Sequence, residues 1–249
     1  MSEPLLCAVG ISKRYGGVVA LAPSDIEIFP GEVLALAGSN GAGKTTLVKL
    51  LCGAEPADTG TIQIDGEEMH RWDIPEARRR GIEVTHQELA LVGQITPIEN
   101  LYLGREEVFR WISFLAKRRM MGEGKKLLAT LGINLANLRA KTSELSGGQQ
   151  QAVALARTVG WGKRLVILDE PTAALGIAES AIVHRLVASL RDKGLAVVIV
   201  SHRLDQIIEL ANRVAVVRNG RIVGHLEGDA IRAAALAELI TGDVQAKVL

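Results

Sequence analysis

A glycine-rich segment with a single lysine has the residues needed to bind phosphate. Gly38–Thr45 reads Gly-Ser-Asn-Gly-Ala-Gly-Lys-Thr and fits the pattern G-x-x-x-x-G-K-[ST]. Glycines allow consecutive backbone N–H groups to surround phosphate oxygens, and the N-terminus of a following helix adds partial positive charge. Lys44 would neutralise the β- and γ-phosphates, and Thr45 would offer a hydroxyl to Mg²⁺. The segment therefore predicts a site for a nucleoside triphosphate.

Two adjacent acids follow another apolar run. Leu165–Leu168 is followed directly by Asp169 and Glu170, and the carboxyl end of a buried strand is where α/β sheets bind ligands. Asp169 is predicted to hold Mg²⁺, mainly through water, and Glu170 to orient or deprotonate an attacking water. The alternative, a solvated pair that caps the next helix, is disfavoured because a phosphate loop lies in the same chain.

A third motif reads Leu145-Ser146-Gly147-Gly148-Gln149, followed by Gln150-Gln151 and Ala154–Arg157. Taken alone, it predicts a helix that begins at Ser146 as N-cap, with glycines easing the turn. Such a helix start presents free N–H groups, so it can also bind an anion. Both interpretations can hold at once.

The elements that position these motifs indicate an α/β core. Continuous apolar runs are typical of strands covered on both faces of a parallel sheet, and a helix is predicted over 178–191. The predicted strands of this sheet are Val33–Ala37, Leu165–Leu168, Ala196–Val200 and Val214–Val217. The phosphate loop would lie between the first of them and a helix over Thr46–Leu51.

The remaining segments predict two further parts. Short strands at Val18–Leu21, Asp25–Phe29 and Thr61–Ile64 indicate an antiparallel layer, and Asn219-Gly220 predicts a type I′ hairpin. The stretch from Glu88 to about Gly160 favours helix and predicts a helical insertion.

Composition excludes several classes of protein. The net charge of +1 gives no overall attraction to nucleic acid or anionic lipid. No apolar run reaches the roughly 18 residues of a membrane span, and Met1–Gly10 lacks the pattern of a secretory signal. Cys7 and Cys52 match no metal spacing and are expected to be reduced thiols of a cytosolic protein.

The three motifs together resemble the ATPase subunit of an ATP-binding cassette transporter, from about Leu5 to Thr241. The resemblance implies a P-loop NTPase core, a mixed sheet flanked by helices, with an antiparallel β layer and an inserted helical subdomain. It implies one domain over 1–249, with the core in 1–87 and 161–249 and the helical subdomain in 88–160. The implied cofactors are ATP and Mg²⁺.

The resemblance also implies roles for single residues. Tyr15 would stack on adenine, Gln87 would touch Mg²⁺ and the attacking water, and His202 would contact the γ-phosphate, although Tyr or His alone is more often structural. The residues implied to bind the nucleotide from one chain are Tyr15, Gly38, Ser39, Asn40, Gly41, Ala42, Gly43, Lys44, Thr45 and Thr46. Those implied to grip the γ-phosphate held by the opposite subunit are Ser146, Gly147, Gly148 and Gln149. Many family members have Asp where this chain has Gly176, so any contact made by that carboxylate is absent.

A narrower resemblance concerns transport. Thr85–Leu89 and Thr96–Glu106 are similar to bacterial monosaccharide importers of the ribose, xylose, galactose and fructose type. These usually carry two cassettes per chain, whereas this chain has one, so a homodimer is the simplest assembly. The implied partners are a second copy, membrane permease subunits and, indirectly, a periplasmic sugar-binding protein, with no nucleic acid. The chain would lie at the cytoplasmic face of the inner membrane, held there by the permease.

Three alternatives stay open from the sequence. The ATPase motifs do not distinguish an importer from an exporter. The second alternative is an ATPase that acts on nucleic acid or ribosomes. Such proteins usually have two cassettes or a long coiled-coil insertion in one chain, and this sequence shows neither, nor a strongly basic stripe. A regulatory module that binds but does not hydrolyse nucleotide tends to lack the acid or the histidine, and Glu170 and His202 are both present.

Overall fold

The structure is a computed structural model that describes residues 3–85, 90–108, 115–173 and 175–242. It divides into two compact units. The sheet unit comprises Met1–Val84, Gly162–Glu170 and Val187–Leu249, and the helical unit comprises Thr85–Trp161 and Pro171–Leu186. No helix among the described residues is long and apolar enough to span a bilayer.

The strands of the described residues are numbered along the chain. They are β1 Leu6–Tyr15, β2 Val18–Ile28, β3 Val33–Ala37, β4 Thr59–Ile64, β5 Glu67–Glu68, β6 Ile82–Thr85, β7 Leu165–Asp169, β8 Ala196–Val200, β9 Arg213–Arg218 and β10 Arg221–Glu227. The helices are α1 Lys44–Leu51, α2 Ile74–Arg79, α3 Pro97–Tyr102, α4 Lys117–Thr130, α5 Gly147–Trp161, α6 Ile177–Asp192, α7 Leu204–Leu210 and α8 Ala233–Thr241.

Six strands form a mixed sheet in the order β10-β9-β3-β8-β7-β6. Strand β3 is parallel to β8 and β9, β7 is parallel to β8, and β10 is antiparallel to β9. Every residue of β3, β7 and β8 is buried, which explains why their sequences are continuous apolar runs rather than alternating ones. The predicted P-loop type core with a mixed sheet is confirmed.

A second, antiparallel sheet has the order β2-β1-β4-β5. The predicted strands at 18–21 and 25–29 are corrected, since they form the single strand β2. Strand β1 was not predicted, because its register with β2 shifts at several points and Ile11, Ser12 and Lys13 are buried in succession. Those irregularities remove the period of two by which a half-buried strand is recognised.

The hairpin between β9 and β10 is confirmed. Asn219 and Gly220 both have positive φ, 51° and 71°, as a type I′ turn requires. Helix α6 extends one residue beyond each end of the predicted segment, and α1 begins two residues earlier than predicted.

Each unit has its own apolar core. The core of the sheet unit takes fully buried residues from both sheets and from helix α1, among them Leu6, Ile28, Leu34, Leu36, Leu47 and Leu51. The core of the helical unit is formed mainly by residues of α3, α4 and α5, among them Ile98, Leu101, Met120, Leu128 and Val153. Between residues 88 and 160 the described part contains helices and one isolated bridge, Val108 to Leu115, which agrees with the predicted helical insertion.

Candidate nucleotide-binding site

The phosphate loop connects the buried strand β3 to helix α1, and two of its glycines have no room for a side chain. Gly38 has φ 151°, and a Cβ there would overlap the carbonyl oxygen of Val217. Gly43 has φ 109°, and a Cβ there would lie 2.7 Å from the carbonyl oxygen of Ala20. Both glycines therefore permit a close approach of backbone that any larger residue would prevent.

The loop is held from outside by the β9–β10 hairpin. The N–H of Gly220 donates to the carbonyl of Ala42 at 2.8 Å, and the N–H of Ala22 donates to the carbonyl of Gly220 at 2.7 Å. One turn residue thus connects the phosphate loop to strand β2. This contact was not predicted, because nothing local in the sequence relates the hairpin to the loop.

Lys44 is the first residue of α1 and is only 7% exposed. Its Nζ donates to the carbonyl oxygens of Gly38 and Ser39, both at 2.8 Å. Burial lowers the pKa of Lys44, and the nearby carboxylates of Glu170 and Asp169 partly oppose that shift. The ammonium is therefore fixed inside the loop, where it interacts electrostatically with Asp169 and Glu170.

Asp169 and Glu170 lie where strand β7 ends. Burial, with a smaller contribution from the charge of Glu170, raises the pKa of Asp169 to about 6, although Lys44 lowers it. Glu170 has φ 50°, a left-handed conformation that is unusual for a residue with a side chain. Its N–H still bonds to the carbonyl of Val200 at 3.0 Å, so the chain turns while staying attached to β8.

His202 follows strand β8 and contacts Glu170. Its Nδ1 lies 2.9 Å from Oε1 of Glu170; a carboxylate only accepts, so Nδ1 carries the proton. Buried Ser201 fixes this turn, because its hydroxyl bonds to Oε1 of Gln206 at 2.8 Å and accepts from the N–H of Arg203 at 3.1 Å. The imidazole is more than half exposed, so its other nitrogen is accessible.

The register of the sheet brings these groups to one edge. Val200 of β8 is paired with Leu36 of β3 on one side and with Asp169 of β7 on the other. Because the three strands are parallel, the phosphate loop, His202 and the two acids all leave the sheet at the same level. The structure therefore assembles Lys44, Asp169, Glu170 and His202, which the sequence predicted to act together.

The other predicted residues of the sheet unit lie at the border of this edge. Ser39, Asn40, Gly41 and Thr45 are exposed, Thr46 is half-buried in the first turn of α1, and Ala42 is buried. Tyr15 is 42% exposed at the end of β1 and is paired with Val18, two residues before the Ala20 carbonyl that faces Gly43. Tyr15 thus lies just before the turn into β2, the strand whose Ala20 carbonyl approaches the phosphate loop at Gly43. Gln87 lies outside the described residues.

The signature segment 145–149 belongs to the helical unit, where it begins helix α5. The N–H of Gln149 donates to the hydroxyl of Ser146 at 3.3 Å, and the N–H of Ser146 donates to Oε1 of Gln149 at 3.0 Å. This reciprocal capping box confirms the predicted N-cap. The part played by Gln149 was missed, although the spacing Ser-x-x-Gln was visible. Ser146 and Gly147 are exposed, so the helix start is open to a ligand.

The donor set suits Mg²⁺ together with a triphosphate. Thr45 offers a hydroxyl at the end of the loop, and Asp169 is a carboxyl group whose ionisation is made costly by burial. A bound cation would relieve that cost. Among the described residues no three His, Cys, Asp or Glu side chains form a cluster that could hold a metal, and Mg²⁺ is usually held by one or two carboxylates and substrate phosphates.

Comparisons with known proteins agree with this geometry. The family model described as ABC transporter matches residues 21–173. The fructose import ATP-binding protein FrcA of Rhizobium meliloti is 40% identical over 225 residues, which are 88% of this chain and 86% of that protein. The ribose import ATP-binding protein RbsA 1 of Rubrobacter xylanophilus is 43% identical over 230 residues, 92% of this chain but 46% of that protein. The chain thus spans about half the length of this second relative.

The fold is also that of a solved structure. An ATP-binding cassette of an ABC transporter in its ADP conformation is 26% identical, with a TM-score of 0.81 that covers 97% of this chain and 100% of that one. The loop, the two acids and the signature segment of this chain all lie within the residues that the family model matches. On these grounds the chain belongs to the ABC transporter family.

Proposed function

We propose that this chain is the ATP-hydrolysing subunit of an ABC transporter that imports a monosaccharide. The observation that carries the proposal is the convergence of Lys44, Asp169, Glu170 and His202 where three adjacent parallel strands end. In an α/β sheet, this edge is where nucleotides bind. Phosphoryl transfer needs mainly positioning and compensation of charge, and these four side chains supply both.

Within one chain, the sheet unit binds the nucleotide. The residues of 38–46 surround the phosphates, Lys44 neutralises the β- and γ-phosphates, and Tyr15 stacks on the base. Thr45 and Asp169 would hold Mg²⁺, with Gln87 as a third ligand from the sequence. The metal, when bound, supplies electrostatic stabilisation of the transferring phosphoryl group.

Glu170 and His202 act on the attacking water and on the γ-phosphate. Glu170 accepts a hydrogen bond from Nδ1 of His202 and keeps a second carboxylate oxygen for a water molecule. Its left-handed backbone directs it away from the line of β7, so it and Asp169 can serve different partners. Such a strained residue beside a reacting group is typical of a functional site.

A second copy of the chain completes the site. Ser146, Gly147, Gly148 and Gln149 of that copy would contact the γ-phosphate, because the start of α5 presents N–H groups to an anion. ATP would then join two copies head-to-tail, and hydrolysis would release them. In this proposal the chain is one cassette, with a core of 1–87 and 161–249 and a helical subdomain of 88–160.

The substrate is proposed from the relatives. Two of them are named as fructose and ribose import proteins, and one of these is matched over most of its own length. Membrane permease subunits would hold this chain at the cytoplasmic face of the membrane, and a periplasmic sugar-binding protein would deliver the monosaccharide. The helical insertion would transmit the nucleotide state to the permease.

The variant Glu170→Gln tests hydrolysis. We expect it to bind ATP as the wild type does, because the loop and Lys44 are unchanged, and to lose turnover by a factor of about 10² to 10⁴, the usual contribution of a general base. Calorimetric titration measures binding and phosphate release measures turnover. Normal turnover in this variant would remove Glu170 from the proposed role.

Import is tested in vesicles that contain the chain with its membrane permease. Added sugar-binding protein loaded with monosaccharide should stimulate ATP hydrolysis and produce ATP-dependent uptake, and the Glu170→Gln variant should do neither. Hydrolysis that is stimulated only by solute on the side of the membrane where this chain lies would instead indicate an exporter.

A further inference from the structure

A buried lysine lies next to the proposed adenine-binding ring. Lys13 is 8% exposed, and its Nζ donates to the carbonyl of Pro56 at 2.7 Å and to Oδ1 of Asp58 at 3.0 Å. The same Nζ lies over the ring of Tyr15, 5.8 Å from its centroid. An ammonium has three N–H donors; two go to the turn that contains Pro56 and Asp58, and one remains for the ring.

Asp58 also supports the backbone that carries Tyr15. Its Oδ2 accepts from the N–H of Arg14 at 2.7 Å, at the point where the register of β1 with β2 shifts between Lys13 and Arg14. The hydrogen bonds from Lys13 and from the N–H of Arg14 lower the pKa of this carboxyl group, so it stays ionised. Asp58 therefore holds both the side chain and the backbone of the irregular segment.

Lys13 and Tyr15 are two positions apart in β1. In a regular strand Ile11, Lys13 and Tyr15 would share one face. Burial along this side decreases towards the end of β1: Ile11 and Lys13 are buried, whereas Tyr15, the last residue of the strand, is 42% exposed. The Nζ of Lys13 lies over one face of this partly exposed ring, so a flat ligand would stack on the other face.

We propose that Lys13 and Asp58 are positioning residues that hold Tyr15 for stacking on the purine base of the nucleotide. Lys13 fixes the ring from behind by attraction between a cation and the π-face, and Asp58 fixes Lys13 and the backbone before the ring. The inference rests on the proposed function, since it assumes that the triphosphate binds in the loop Gly38–Thr45. It adds a determinant of base affinity that is separate from the phosphate-binding residues.

The test compares two ligands that share phosphates but differ in the base. Magnesium ATP and inorganic tripolyphosphate with magnesium are titrated calorimetrically into the wild type, Lys13→Met, Asp58→Asn, Tyr15→Ala and the double variant Lys13→Met/Tyr15→Ala. We expect Tyr15→Ala to weaken ATP binding roughly tenfold or more, as loss of a stacked aromatic does. Lys13→Met should weaken it about three- to tenfold, and Asp58→Asn less, because Asn still accepts from the N–H of Arg14.

Two further results separate positioning from general damage to the fold. Tripolyphosphate should bind all variants with wild-type affinity, because none of them alters the phosphate loop. In the Tyr15→Ala background, Lys13→Met should cause no further loss of ATP affinity, since a residue that acts through the ring has nothing left to position. If Lys13→Met does not fold, Asp58→Asn carries the same comparison.

The inference is overturned if Lys13→Met and Asp58→Asn bind ATP as tightly as the wild type. It is equally overturned if they lose affinity for ATP and tripolyphosphate alike, or if Lys13→Met weakens ATP binding further when Tyr15 is already Ala. A wild type that binds neither ligand would instead refute the proposed function itself.

Discussion

At the scale of single residues, the site places ionisable side chains where burial disfavours their charged forms. Asp169 and Glu170 are consecutive acids beside a buried lysine, and the left-handed backbone of Glu170 adds about 1–2 kcal/mol of strain. Neither feature benefits an isolated fold. Both are understandable if a cation and phosphates are the partners for which the residues are arranged.

The first prediction concerns the pH dependence of stability. The pKa of Asp169 is about 6 in the folded chain and near 3.9 when unfolded, so between about pH 4 and 6 the folded state holds the extra proton. The free energy of unfolding should therefore fall as pH rises through this window, by about 3 kcal/mol from this residue. Asp169→Asn should remove that part of the slope and be more stable than the wild type at pH 7.5.

Urea denaturation at pH 4.5 and 7.5 measures this effect. Asp229, an exposed acid, provides the control, and Asp229→Asn should leave the pH dependence unchanged. An unchanged slope in Asp169→Asn would show that burial does not hinder ionisation of that carboxyl group.

At the scale of elements, helix α5 begins at a capping box whose residues are also proposed to contact the γ-phosphate of ATP bound by a second copy. Ser146 and Gln149 exchange hydrogen bonds, so the same hydroxyl stabilises the helix and is exposed to a partner. The two roles can be separated by choosing substitutions that keep one of them.

The second prediction uses that separation. Ser146→Ala removes the cap and should lower the free energy of unfolding by about 1 kcal/mol. Ser146→Asp keeps a good N-cap, so its stability should match the wild type, but its carboxylate should repel the γ-phosphate and abolish ATP-dependent dimers. Urea denaturation and gel filtration of chains that also carry Glu170→Gln measure the two effects. If the extent of dimerisation in the two Ser146 variants only follows their free energies of unfolding, Ser146 has no separate role in binding ATP.

An element could be predicted from sequence where the residues that determine it are close together along the chain. The run Val33–Ala37, the loop and the start of α1 are consecutive, so strand, loop and helix were all predicted. Strand β1 was missed because its register shifts erase the alternation. The contacts of Lys13 with Pro56 and Asp58 could not be predicted, because they join segments that meet only in the folded sheet.

At the scale of the whole molecule, the proposal is that each active site is built from two chains. Lys44, Asp169 and Glu170 would come from one copy and Ser146–Gln149 from the other. In a dimer with two-fold symmetry the same contacts occur twice. When the two copies carry different substitutions, the loss of each half of a site can be assigned to one copy.

The third prediction is complementation between two inactive variants. The Lys44→Ala variant should lose phosphate binding. The Ser146→Arg variant should bind ATP, but its arginine should block the contact between its own signature segment and the ATP bound by the other copy. Mixed in equal amounts, they form heterodimers with one intact site. We therefore expect activity to recover to about a quarter of the wild-type value, because about half of the dimers are mixed and each has one of two sites. Phosphate release measures it, and either variant mixed with itself is the control. No recovery would refute the shared site.

The hydrogen bonds of Gly220 have a consequence for how the site comes into existence. Because this turn links Ala42 to Ala22, the phosphate loop is supported by a hairpin that is synthesised long after it. A nascent chain that has emerged only as far as α7 already carries Lys44, Asp169, Glu170 and His202 but lacks this support. Nucleotide capture should therefore be the last ability the chain acquires during translation, after the sequence motif itself has long been complete.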